Sequence, residues 1–95
     1  MNQEQKKAIE RNLDMHGVEY QLLVCFEELS ELTKAITKAE RYPGDISRVG
    51  DVAEELADVS ICIEIIKMIY GISDENLKEE VGRKINRLER MMDDE

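Results

Sequence analysis

From Val18 onward, apolar residues recur three or four positions apart at Leu22, Cys25, Phe26, Leu29, Leu32 and Ile36. That is the period of a helix with one buried stripe, and it predicts a long helix ending near Arg41. Tyr42-Pro43-Gly44-Asp45 breaks the pattern, because Pro lacks a backbone donor and Gly tolerates positive φ. The period then returns at Val52, Leu56, Val59, Ile63, Ile66 and Tyr70, with Ser47 or Asp45 to cap the start and Gly71 to close the end. Between Val59 and Tyr70, Ile61, Cys62, Ile65, Met68 and Ile69 fill the remaining sides. This third helix is therefore apolar nearly all round and needs cover from several directions.

Shorter elements flank the pair. Asn2 and Gln5 form the pattern of a reciprocal capping box opening a first helix to about Met15, interrupted at His16-Gly17. Ser73 reads as an N-cap, with Asp74 and Glu75 suited to the positive end of the helix dipole and an Ile72 to Leu77 staple across it. The fourth helix then carries Leu77, Val81, Ile85, Leu88 and Met92. The expected fold class is all-α: a single domain over residues 1–95, built as a four-helix-bundle element with two long antiparallel central helices.

Composition narrows the picture. At 95 residues, a chain buries only roughly 60 to 65% of its unfolded surface. With an over-apolar third helix, completion by homo-oligomerisation is expected. Thirteen Lys plus Arg against 22 Asp plus Glu give a net charge of −9, which repels nucleic-acid backbones and argues against nucleic-acid binding. An apolar content of 42% excludes an acidic disordered tail. The longest apolar-rich run, Val59 to Ile72, is broken by Glu64 and Lys67, so no membrane span is expected. The opening MNQEQKKAIERN lacks the apolar centre of a signal peptide, which points to the cytoplasm. Cys25 and Cys62 lack Cys-x-x-Cys spacing and lie among apolar neighbours, as reduced core thiols do.

The candidate chemistry is acidic. EELSEL places Glu28 and Glu31 at i and i+3 on the second helix, and EELADV places Glu55 and Asp58 likewise on the third. On a helical wheel Glu28 borders its apolar stripe and Glu55 falls within one. A single such pair is ordinarily a solvated face, but two at matching spacing point to carboxylates gathered between helices, where unpaired charge is costly. Hard cations such as Mg²⁺ or Mn²⁺ take oxygen ligands, so Glu28, Glu31, Glu55 and Asp58 are the candidate metal ligands and catalytic carboxylates. The Glu-x-x-His motif of di-iron bundles is missing, since the one His is His16. On the fourth helix, Arg83, Lys84, Arg87 and Arg90 face only Glu89 between Val81 and Met92. This basic ribbon, with Asn86 in its midst, can grip an anionic group or form salt bridges to acidic neighbours. Tyr20 and Gln21, a turn or two before the carboxylates, can line a pocket mouth or simply pack.

EELSE at Glu27 to Glu31, with ELAD at Glu55 to Asp58 in a short acidic all-α chain, resembles the MazG-like nucleoside triphosphate pyrophosphohydrolases. The resemblance takes in Gln21 upstream and KINRLER from Lys84 to Arg90, and covers roughly Gly17 to Arg90. It implies Mg²⁺-dependent cleavage between the α and β phosphates of a nucleoside triphosphate, releasing a monophosphate and pyrophosphate. It also implies metal binding by Glu28, Glu31, Glu55 and Asp58, contact of Lys84, Asn86, Arg87, Arg90 and Gln21 with the substrate, and homodimers or homotetramers built as dimers of dimers. Phosphoribosyl-ATP pyrophosphohydrolase, of similar fold and carboxylate arrangement, is the alternative within the same class. A non-catalytic acidic helical interaction module is the alternative outside it.

Overall fold

A computed structural model describes residues 1–95 as four α-helices without a strand: α1 (Gln3–His16), α2 (Val18–Arg41), α3 (Ile46–Tyr70) and α4 (Asp74–Asp93). Local chemistry sets each boundary. The Asn2 side chain accepts from the Gln5 N–H at 2.8 Å, and the Gln5 side chain accepts from the Asn2 N–H at 3.0 Å. At the start of α3 the cap is Asp45, whose carboxylate accepts from the Ser47 N–H at 3.0 Å and its hydroxyl at 2.6 Å. Those bonds from Ser47 hold the Asp45 carboxyl below its ordinary range. Gly71, left-handed at φ 65°, ends α3 as a C′ glycine does, and Ser73 opens α4 through a reciprocal box with Asn76. No helix is long and apolar enough to cross a membrane.

Helix packing is confined to the first three helices, and beyond its first residue α4 lies against none of them. Ile9 of α1 meets Cys25 of α2 and Cys62 and Ile65 of α3, with Leu13, Ile66, Met68 and Ile69 around them. Between α2 and α3 runs a seam of buried and half-buried positions spaced alternately four and three apart: Gln21, Cys25, Glu28, Leu32 and Ala35 on one side, Val52, Glu55, Val59, Cys62 and Ile66 on the other. That is the spacing that sets ridges into grooves between closely aligned helices.

The apolar stripes read from the sequence divide at this seam. Cys25, Leu32, Val52, Val59 and Ile66 enter it, whereas Phe26, Leu29 and Ile36 of α2 and Leu56, Ile63 and Tyr70 of α3 remain between 45% and 66% exposed. The reason is geometric: a residue one position on from a seam residue points about 100° away, and a single copy of the chain has nothing to place there. Only eight of 95 residues are buried.

The start of α4 is pinned by charge. Lys67, buried near the end of α3, donates to Glu64 at 3.0 Å and to Asp74, and Lys6 of α1 donates to Asp74 at 2.7 Å. Hydrogen bonds from Lys6 and then Lys67 bring the Asp74 carboxyl down to about 2. Its contribution to stability is therefore complete above the ordinary Asp value and fades as pH falls towards about 2. Asp74→Asn is expected to lower hydrogen-exchange protection in the first turn of α4 at neutral pH, reproducing what acid does to the parent chain. Unchanged protection in the variant would show that the clamp does not hold this end.

Candidate metal centre

The seam brings three of the four predicted carboxylates together. Glu28 sits between Cys25 and Leu32, Glu55 sits between Val52 and Val59, and Asp58 lies one turn beyond Glu55 at the rim. One carboxylate oxygen from each of Glu28, Glu55 and Asp58 lies within 4.8 Å of the other two. Oε2 of Glu55 is buried without a hydrogen-bond partner. Burial first, then the Asp58 charge, side-chain bonding with Glu55 and Asp58, and the Glu55 charge push the Glu28 carboxyl up to about 7. Three converging acids with an orphaned oxygen and no ion pair among them form a hard, oxygen-only donor set of the kind Mg²⁺ or Mn²⁺ accepts.

A raised Glu28 favours the cation-free fold below the unfolded value of 4.5, and that advantage is lost as pH rises to about 7. A cation needs Glu28 ionised, so Mn²⁺ affinity is expected to climb from about pH 6 to about pH 8, with release of about one proton on binding near pH 6 and almost none near pH 8. Calorimetry in two buffers of different ionisation enthalpy reads that proton directly; affinity indifferent to pH would remove Glu28 from the ligand set.

Glu31 stands outside the trio. Its Oε1 pairs with Lys34 Nζ at 3.5 Å, and it lines a cleft shared with Glu55. Gln21 is only 2% exposed and takes the packing role, one of the two its position offered. It is a seam residue seven positions, about 10 Å of helix, from Glu28. Lys84, Asn86, Arg87 and Arg90 are all exposed on α4, where Asn86 and Arg90 border a shallow depression with only Glu89 and Asp93 of the same helix. Within one chain the ribbon does not adjoin the carboxylates. The cations that do are Lys34 and Lys38, which share the Glu31 and Glu55 cleft and which the motif reading passed over. Their signal was available, because Lys34 and Lys38 follow Glu31 at i+3 and i+7 on one side of α2.

One layer along the seam, the Cys25 thiol donates weakly to the Cys62 carbonyl at 3.9 Å. Burial, then the Cys25 thiol, push Cys62 up to about 12, so Cys62 is a protonated packing group, with Cys25 a buried free cysteine beside it. No protein-family model, no curated protein and no solved structure matches this chain.

Proposed function

We propose that the protein is a MazG-like pyrophosphohydrolase that converts nucleoside triphosphates, ribo or deoxy, to the monophosphate and pyrophosphate. The convergence of Glu28, Glu55 and Asp58 around an unpartnered carboxylate oxygen carries this reading. Glu28, Glu55 and Asp58 hold Mg²⁺ or Mn²⁺, and Glu31, across the cleft from Glu55, completes the set. Divalent ions there supply neutralisation of phosphate charge and activation of water for in-line attack. The carboxylates fix where that charge sits, and an acidic protein thereby accepts a polyanion it would otherwise repel.

Self-assembly belongs to the same proposal. Cys25 meets Cys62, and Ala35 shares a cleft with Asp51, so the register favours α2 and α3 running antiparallel. The exposed stripes on both helices are rotated from the seam by about 100° in the same sense. In antiparallel helices that rotation carries Phe26 and Leu29 of α2 and Leu56 and Ile63 of α3 to one side of the hairpin. Ile65, which meets α1, is rotated the opposite way.

The chain exposes 7646 Å², against about 5600 Å² for a compact monomer of this length. Its radius of gyration is 16.5 Å, against about 12 Å. The excess of about 2000 Å² exceeds the roughly 800 Å² each partner loses in a standard interface and fits an obligate one. We take the occupant of this face to be a second copy, in a homodimer or homotetramer. The α4 ribbon of Lys84, Asn86, Arg87 and Arg90 meets the triphosphate from the partner copy.

The test is pyrophosphate release from a panel of NTPs, dNTPs and phosphoribosyl-ATP with Mg²⁺, Mn²⁺ or EDTA. Metal-dependent pyrophosphate with the monophosphate is the expected result, and a preference for phosphoribosyl-ATP would select that alternative. Silence throughout, with a melting temperature indifferent to millimolar Mg²⁺, would favour the interaction module.

A further inference from the structure

The cleft beside the carboxylate trio has a cationic wall. It encloses about 170 Å³, with Glu31, Lys34, Ala35 and Lys38 on the α2 side and Asp51, Glu54 and Glu55 on the α3 side. Lys34 is held at 3.5 Å by Glu31, while Lys38 makes no ion pair within 4.0 Å, although Asp51 and Glu54 line the same cleft. Lys38 is thus a cation of the cleft with no bound counter-charge. Between the two lysines lies Ala35, buried and small, which lines the same cleft. From Glu31 to Lys38 is seven residues, about 10 Å along the helix, a span suited to a short phosphate chain laid parallel to α2.

We propose that Lys34 and Lys38 form the subsite for the terminal phosphates of the substrate, and for pyrophosphate before it leaves. This rests on the metal reading of Glu28, Glu55 and Asp58. A lysine ammonium carries three donors on a flexible stem, which can follow phosphate oxygens as the chain is cut. In contrast to the α4 ribbon, these lysines come from the same chain as the carboxylates. The neighbouring Glu31, Asp51, Glu54 and Glu55 outnumber them, so the subsite takes its anion only together with divalent ions.

The experiment uses the full chain with Mn²⁺ alone and then with inorganic pyrophosphate in saturating Mn²⁺. Lys38→Met is expected to keep Mn²⁺ affinity within about twofold and weaken pyrophosphate tenfold or more, by analogy with the loss of one charge-assisted contact. It should raise KM for the triphosphate more than it lowers kcat. Lys38→Arg should restore much of the affinity, and Lys34→Met should weaken it less, since Lys34 already has Glu31. Parent-like pyrophosphate affinity in both Lys38→Met and Lys34→Met, with Mn²⁺ still bound, would overturn the lysine assignment and leave the metal reading standing. A parent chain that binds neither Mn²⁺ nor pyrophosphate would overturn both.

Discussion

Glu55→Gln is expected to lower pyrophosphate release by more than about 100-fold, since loss of an outer-shell partner alone costs about 10 to 100-fold at metal sites and Glu55 is proposed as a direct ligand. The substitution keeps shape and volume and removes one negative charge from a position already buried in the α2–α3 seam. Its effect on the fold runs the other way. In the cation-free chain, Glu55 contributes a buried oxygen with no partner and helps to raise the Glu28 carboxyl. A neutral amide relieves both, so the variant should melt at the parent temperature or above it when EDTA is present. With Mg²⁺ the order should reverse, because only the parent gains stability from a ligand bound to its folded state. Far-UV circular dichroism, melts with and without Mg²⁺, and a pyrophosphate assay together read the prediction. Normal turnover by a folded Glu55→Gln chain would show that Glu55 holds no catalytic metal.

The helix ends were legible because each rests on a few adjacent residues. Asn2 with Gln5, Gly71 and Ser73 act through bonds within one turn, and they act as the sequence suggested. Glu55 was legible too, since its wheel position lies inside an apolar face. The seam on α2 was harder to read. It carries Gln21, Cys25 and Glu28 where a hydrophobic pattern expects Leu or Ile, so the apolar stripe of Leu22, Cys25, Phe26, Leu29, Leu32 and Ile36 shares only Cys25 and Leu32 with the seam and otherwise lies one residue over. Polar residues in a packed seam break the local rule where they gather the carboxylates, and apolar residues on an exposed face break it where nothing in one chain covers them. The separation of the α4 ribbon from the carboxylates was not legible for a related reason. Periodicity gives the face a helix presents but not the helix it meets, and beyond Asp74 α4 packs on none within its own chain.

Placing a charge at the centre of the exposed hairpin face should therefore undo more than a surface contact. Phe26→Glu or Ile63→Glu is expected to shift the chain from dimer or tetramer to monomer, raising the dissociation constant by at least about 100-fold, because a carboxylate buried without a partner costs several kcal/mol. Melting temperature should fall with it. The parent chain should melt higher at higher protein concentration, as proteins do when association stabilises the folded form. The variants should melt low and independently of concentration, since one copy retains only eight buried residues. Sedimentation equilibrium and melts at two concentrations separate the outcomes. A parent that is monomeric at tens of micromolar, with a melting temperature indifferent to concentration, would remove the second copy from this face. The stability of α2 and α3 would then have to come from the narrow seam and the Ile9 cluster alone. The 45% to 66% exposure of Phe26, Leu29, Leu56, Ile63 and Tyr70 makes that the harder case to sustain, because an apolar patch of this extent is rare on a protein that works alone.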